Sequence, residues 1–418
     1  MSARPRVFVY REQIEELLRA RGREAEIRVP AAARELDGGE VFHVSAADGP
    51  NIHSAGSPRR ATIVVRGLID TAGGDQDLRA DTDILVVLRE RDSEPIAKAY
   101  IAQGDNWIPA DVTPVPMRGE SAARSSGLLE STVLAAKSAA VVGIGSGGST
   151  IAVALAQAGV GRLVLVDRDR LEIGNISRHA CGFGDLGRRK GAAVADLLRG
   201  KNPAVDVAVH DIDVVRDSAA LSRALEGVDL VIGATDSDAS RFVVNQVGLD
   251  LSITALYGRV LTAAVGGDVV RVRPGVGPCL ACVYTERFLV SRPREYSNSA
   301  EAAEVSPAYA TDADRACVQV GLASDIAPIA QLITKLALLE LSRGGGGHLE
   351  ALDEDLLSDF YVWANRREGM YEGWQRMGFS YDKPSILRWY GAELERRHDC
   401  AACGASSART TGFFGGAR

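Results

Sequence analysis

The sequence predicts an α/β protein: a domain built on a mixed, mostly parallel sheet, with a small α+β module before it and a tethered segment after it. Three observations carry that expectation. Short apolar runs, "SAAVVGIG", "RLVLVD", "VDVAVHD" and "VDLVIGATD", alternate with helical stretches, the pattern of parallel strands joined by crossover helices. A glycine-rich turn, Gly143-Ile144-Gly145-Ser146-Gly147-Gly148, joins the first of these strands to a helix. Two Cys-x-x-Cys pairs, Cys279/Cys282 and Cys400/Cys403, lie far apart near the end of the chain.

At 418 residues the chain exceeds one ordinary core, and 46% hydrophobic with 25% charged residues is a globular composition. A net charge of −7 without long like-charge blocks argues against nucleic acid as a partner, because phosphate binding needs a basic surface. Charges interrupt every apolar stretch of "MSARPRVFVYREQIEELLRARG", and no uncharged run is long enough to span a bilayer. The expectation is a cytoplasmic protein without a membrane partner. In that reducing compartment paired cysteines suggest metal before disulfide.

Residues 1–116 differ in texture from the rest. "RPRVFVYREQIEELLRARG" predicts a strand leading into a helix with Ile14, Leu17 and Leu18 on one face. "ATIVVRGLI", "TDILVVLRE" and "IAKAYIAQ" predict strands between Gly- and Asp-rich turns. There is no His-x-His, and His43 and His53 are far apart, so the module is expected to dock or dimerise rather than to act as a JAMM-type metalloprotease. Residues 117–127 read as a Ser/Gly-rich linker and 128–349 as the main domain. Within it, "ITALYG" and "AAVGGDVVRVRPG" follow each other closely, which suits antiparallel strands completing a mixed sheet. "DIAPIAQLITKLALLEL" predicts an amphipathic helix stopped by "GGGG". An aromatic-rich segment, 350–403, and a disordered tail, 404–418, are expected to follow.

The glycine turn has the chemistry of a phosphate cradle. Gly143 permits a tight turn, Gly145 lets phosphate approach the backbone, and Gly148 lets the helix lie against the strand. Asp167 ends the next strand at the spacing of a ribose-binding acid. To this point an NAD-dependent oxidoreductase fits equally well. The continuation adds Asn175, Arg178 and Lys190, with Arg188 and Arg189 just before the lysine. An enzyme that breaks a triphosphate needs such cations, because negative charge grows on the leaving pyrophosphate. Asp236 follows an apolar strand, where it is either a turn residue or a carboxylate for magnesium. Asp238 fits the cap of the following helix.

The ordered set G-x-G-x-G-G, D-x-D (Asp167, Asp169), N-x-x-R, D-x-G-x-x-K and A-T-D-S resembles the ThiF/MoeB/HesA family, relatives of the ubiquitin-activating enzymes. The resemblance implies a Rossmann-like adenylation domain that uses ATP and Mg²⁺. The C-terminal carboxylate, a glycine in the family, of a small ubiquitin-like or sulfur-carrier protein would be adenylated. Gly143, Gly145, Ser146, Gly147, Gly148, Asp167 and Asp169 would surround the nucleotide. Asn175, Arg178 and Lys190 would contact its phosphates, and Asp236 would hold Mg²⁺. It also implies a homodimer in which an arginine before the first strand, Arg124 or Arg118, completes the partner's ATP site. The N-terminal extension and aromatic segment resemble the activating enzymes of bacterial ubiquitin-like conjugation systems, which would add a conjugating enzyme as partner. Adenylation of a ribosomal peptide in antibiotic biosynthesis is the alternative.

Two Cys-x-x-Cys turns converging on one point make a closed Cys₄ zinc site, structural because no position is left for water. Of the two remaining cysteines, Cys181 beside the nucleotide loop reads as structural. Cys317 precedes the long amphipathic helix and fits two roles, a thioester nucleophile by the resemblance or a small buried residue at a helix start.

Overall fold

The computed structural model describes residues 4–22, 26–36, 39–46, 57–66, 82–91, 94–116, 131–285, 295–296, 317–318, 321–345, 348–374 and 385–404. The expected linker 117–127, Arg118, Arg124, His53 and the tail beyond residue 404 lie outside them. The chain divides into two compact units, Met1–Arg124 with Asn202–Ala204, and Ser125–Lys201 with Val205–Arg418.

The described residues of the first unit realise the expected α+β module as a closed barrel with a helix packed into it. Its elements are β1 (Arg6–Tyr10), α1 (Arg11–Arg21), β2 (Glu26–Leu36), β3 (Val41–Ala46), β4 (Ser57–Arg66), β5 (Ile84–Arg91), β6 (Glu94–Gln103) and β7 (Asn106–Val115). Strand order is β1-β3-β2-β4-β5-β6-β7, with β7 returning onto β1 in parallel. Period-two alternation fills the barrel. Ile63 and Val65 of β4 meet Val7, Val9, Ile84, Val86 and Leu88, and Ile14 of α1 joins them. Val64, Leu85 and Val87 form a second cluster with Tyr100 and Trp107. Strand β5 is therefore buried on both faces, which is why it reads as an unbroken apolar run. Gly104, at φ 58°, turns β6 into β7.

The second unit holds α2 (Ser131–Ala135), β8 (Ser138–Val142), α3 (Ser146–Ala158), β9 (Arg162–Val166), α4 (Lys190–Lys201), β10 (Asp206–His210), α5 (Ser218–Leu225), β11 (Leu230–Gly233), α6 (Asp238–Asp250), β12 (Thr254–Val260) and β13 (Gly266–Val272). After these come α7 (Leu280–Val283), β14 (Glu295–Tyr296), β15 (Cys317–Val318), α8 (Ala323–Ser342), β16 (Phe360–Ala364) and β17 (Arg388–Ala392). Eight strands make one sheet in the order β10-β9-β8-β11-β12-β13-β16-β17. The first five run parallel and the last three antiparallel. The chain leaves β8 toward β9 on one side and returns to β11 on the other, a reversal of strand order that opens a crevice at the strand ends.

The two strands expected to complete the mixed sheet, "ITALYG" and the run after it, pair antiparallel as β12 and β13, and β12 also lies parallel to β11, so the antiparallel part of the sheet begins at β13. Helix α6 between β11 and β12 is a full crossover, which returns the chain in the parallel sense. The aromatic segment extends the sheet: Trp363 of β16 sits opposite Trp389 of β17 with ring centroids 5.3 Å apart. A buried guanidinium fixes this extension. Arg271 of β13, 2% exposed, bonds Asp359 (3.0 Å), Glu340 of α8 (3.2 Å) and the carbonyls of Leu356 (2.8 Å) and Ser358 (3.1 Å). Its donors are met on several sides, the condition under which a buried charge is tolerable.

Helix α8 settles onto the sheet over two glycines. A Cβ at Gly258 would come 2.3 Å from Ile333 Cδ1, and one at Gly267 would come 2.1 Å from Ile329 Cδ1. Gly258→Ala should therefore destabilise the protein by about 1–3 kcal/mol in urea unfolding, the usual cost of overpacking. Adding Ile333→Val, which deletes the clashing methyl, should make the pair cost less than the sum of the two single changes. Strict additivity would show that α8 does not bear on Gly258.

Candidate active site

Strand β8 ends at Val142, and Gly143 turns the chain at φ 92° into α3. A Cβ at Gly143 would stand 2.7 Å from the Ala234 carbonyl oxygen, and one at Gly148 would stand 1.9 Å from that of Gly143. Only glycine fits either place. Gly145, in contrast, has nothing within 4 Å of where its Cβ would be, so its face is open. Helix α3 has no side-chain cap at Gly145, which leaves its first N–H groups and positive dipole end at the crevice.

Asp167, just past β9, fastens the loop. Its carboxylate accepts the Ile144 N–H at 2.6 Å and the Asp169 N–H at 2.7 Å. Burial pushes its carboxyl up, against the opposing pull of Lys190 and the N–H groups of Asp169 and Ile144.

The crevice contains a cavity of about 150 Å³ lined by Gly145, Ser146, Gly147, Asn175, Arg178, His179, Lys190, Thr235, Asp236 and Arg241. Ile326, Ile329 and Ile333 of α8 make its apolar wall. Three separate stretches of sequence thus contribute polar groups to one space. Lys190 opens α4, is 9% exposed, and pairs through Nζ with Asp169 at 3.0 Å. Oδ1 of the Asn175 side chain accepts the Glu172 N–H at 3.0 Å, which fixes the amide in place.

Of the basic run before α4, only Lys190 lines the cavity. Arg188 bonds Asp185 and Asp196, while Arg189 pairs with Asp211 and donates to the Arg168 carbonyl. Asp238 is not the cap of α6. Ser237 is, its hydroxyl accepting the Ser240 N–H, and Asp238 pairs with Arg241 at 2.9 Å.

Three features were not visible in the sequence. His179 and Arg241, 8% and 4% exposed, line the cavity from within the core. Ala263, which lines the cavity, and Ala264 beside it adopt left-handed φ of 55° and 52°, a costly conformation for a residue with a Cβ. Asn365 holds the Ala264 carbonyl at 2.8 Å, and Arg366 holds that of Ala263 while pairing with Asp325 of α8. For His179 the sequence offered only its place beside Arg178, not the backbone groups it meets. The alanine pair carried none.

Cys279, Cys282, Cys400 and Cys403 converge, with all four sulfurs within 4.8 Å of one another. Adjacent sulfurs are 3.8, 3.6 and 3.5 Å apart. A tetrahedral ion with bonds of about 2.3 Å places its sulfurs about 3.8 Å apart, close to these three separations, so the four-cysteine set suits zinc. Burial raises the Cys279 and Cys282 thiols, the direction that a bound cation reverses. Cys181 is buried, its thiol pushed up to about 11 by burial, which suits an inert packing residue. Cys317 pairs through its backbone with Glu295 in a two-residue parallel ladder; its side chain lies outside the described part.

Residues 122–369 match the ThiF family. The chain belongs to that family. This ThiF chain is 31% identical over 156 residues to ubiquitin-like modifier-activating enzyme 5 of Caenorhabditis elegans, covering 35% of this chain and 37% of that one. It is 33% identical over 156 residues, with the same coverage, to the enzyme of that name from Oryza sativa subsp. japonica. The match thus spans little more than a third of these relatives' length. Among solved structures, the ThiF chain is similar to E. coli MccB with ATP, at 15% identity and a TM-score of 0.48 over 69% of this chain and 75% of that one.

Proposed function

We propose that the protein is an ATP- and Mg²⁺-dependent adenylyltransferase that activates the C-terminal carboxylate, in our reading a glycine, of a small ubiquitin-like or sulfur-carrier protein. The observation that carries this is the convergence of the α3 N-terminus, Arg178, Lys190 and Asp236 on one cavity in a ThiF-family chain. The names of its relatives among the ubiquitin-like modifier-activating enzymes point the same way.

In this reading the carrier carboxylate attacks the α-phosphorus, the bond to the bridging oxygen breaks, and pyrophosphate leaves with the electron pair. Lys190 and Arg178 neutralise charge on the phosphates, and the open face at Gly145 lets them approach the backbone. Asp167 receives the ribose. Asp236 holds Mg²⁺, which when bound offsets charge on the leaving group. The wild type should exchange pyrophosphate with ATP only when carrier is present. Lys190→Ala and Asp236→Ala should each lower exchange by about 10²-fold or more while circular dichroism shows the chain still folded. Full exchange in either folded variant would remove that residue from the reaction. In the proposed homodimer Arg124 acts across the interface. A mixture of Arg124→Ala and Lys190→Ala chains should then regain part of the lost exchange, and no regain despite subunit exchange would place Arg124 in cis.

The four cysteines are proposed to hold one structural zinc, closing the C-terminal segment onto the sheet. Elemental analysis should find one zinc per chain, and Cys400→Ser should make residues beyond β17 susceptible to protease. A metal-free chain of full stability would overturn this.

Cys317 is proposed as the acceptor of the activated carrier for hand-over to a conjugating enzyme. Its thiolate would attack the acyl carbon of the adenylate, forming the carbon–sulfur bond as AMP departs with the electron pair. Incubation with ATP and carrier should yield an adduct that survives denaturation and is cleaved by thiol reductant. Cys317→Ala should abolish the adduct and keep pyrophosphate exchange. An adduct that persists in this variant would assign the cysteine to packing.

A further inference from the structure

Ile144, between the first two glycines of the loop, is held through both of its backbone polar groups. Asp167 accepts its N–H at 2.6 Å, and His179 Nε2 contacts its carbonyl oxygen at 2.9 Å. The other ring nitrogen of His179 lies 3.0 Å from the Cys181 backbone nitrogen, which donates to it. An N–H can be met only by a lone pair, so Nδ1 is unprotonated and the ring proton sits on Nε2, facing the Ile144 carbonyl. A second stitch lies alongside: the Ala180 N–H donates to the hydroxyl of Ser149 in α3 at 3.2 Å. Segment 178–181 is thereby bound to the glycine loop and to the helix that follows it. Arg178, a cation lining the cavity, is the residue just before His179 in this segment.

We propose that His179 is a positioning residue that locks the nucleotide loop to the segment bearing Arg178, and that it does so only as the neutral ring protonated on Nε2. A second proton, on Nδ1, would set N–H against the N–H of Cys181 and break the stitch. The proposal deepens the adenylation reading and rests on it.

The surroundings favour the neutral ring. Burial lowers the His179 pKa and prevails over the Ile144 carbonyl, which raises it; Lys190 of α4 lowers it further, and Asp185 opposes. Arg178 and the buried Cys181 thiol flank it in the chain, and Asp167 accepts the Ile144 N–H. Because the folded value is depressed, the neutral ring's contribution is complete above the ordinary imidazole pKa. It is lost as pH falls through the lowered value.

Two substitutions separate the ring's two contacts. The carboxamide of His179→Gln reaches toward the Nε2 position and can donate to the Ile144 carbonyl, with no proton to gain. That of His179→Asn reaches only the Nδ1 position and can accept from Cys181. Mg·ATP affinity of the full chain is measured by calorimetry from about pH 8 to about pH 5.5. Toward the acid end wild-type affinity should fall by about threefold more than that of His179→Gln, whose curve lacks the ring's titration. His179→Asn should bind about tenfold more weakly at every pH. In ¹⁵N-histidine spectra, the wild-type resonance missing from His179→Gln should be the Nε2–H tautomer. Superimposable pH curves for wild type and His179→Gln, wild-type affinity in His179→Asn, or a proton on Nδ1 would overturn the proposal. If the wild type binds no ATP at any pH, the adenylation reading fails. The ring tautomer and the acid-side melting temperatures of wild type and His179→Gln then still decide whether the clamp exists.

Discussion

At Gly143 and Gly148 three pieces of backbone come closer than any side chain permits: the end of β8, the start of α3 and the loop after β11. This approach brings the unsatisfied N–H groups of α3 to the strand ends. It also sets Thr235 and Asp236 across from the glycine loop, because Ala234 is the residue against which Gly143 is pressed. Asp167 and His179 then hold the loop from its other side through the backbone of Ile144. A small volume of excluded Cβ atoms thus determines where the charges of the site can stand.

Those charges differ in kind from the charges elsewhere in the fold. Arg271 is surrounded by carboxylates and carbonyls, and Arg259 is closed off by Asp268 and lies 4.3 Å over the Tyr284 ring. Such cations are tied to structure, since removing one partner leaves an uncompensated buried charge. Lys190 is also nearly buried, but it borders the cavity and pairs with an Asp169 whose side chain is half exposed. That partner can turn to water when a phosphate takes the lysine, so the exchange costs little desolvation.

The central domain was legible because its physics is local. A glycine at a tight turn, an acid at a strand end and alternating strand and helix runs each announce themselves within a few residues, and β8-α3-β9 lies where they said. The barrel was harder. Strands β4, β5 and β6 read directly, but β2 contains Pro30 and three alanines, and β7 contains Pro109 and Pro114. Proline is usually confined to strand edges and bulges, so the pattern alone speaks against both strands. The aromatic residues of β16 and β17 could be seen, whereas their place in the sheet depends on Arg271, far away in sequence. His179 escaped notice for a related reason. What distinguishes it is the pair of backbone groups it meets, and no composition or spacing encodes them.

The two cysteine pairs stand 121 positions apart along the chain, with α8, β16 and β17 between them. A clasp around so long a stretch has a forgiving dependence on length, because the entropy of closing a loop grows only with its logarithm. Doubling the enclosed stretch costs about 0.6 kcal/mol. The region between the clasp's two halves is thus free to gain or lose whole segments while the chain's end stays anchored. Variation within this architecture should gather there, in lengthened or shortened connections around β16 and β17, where new surface can be tried without disturbing the loop at Gly143.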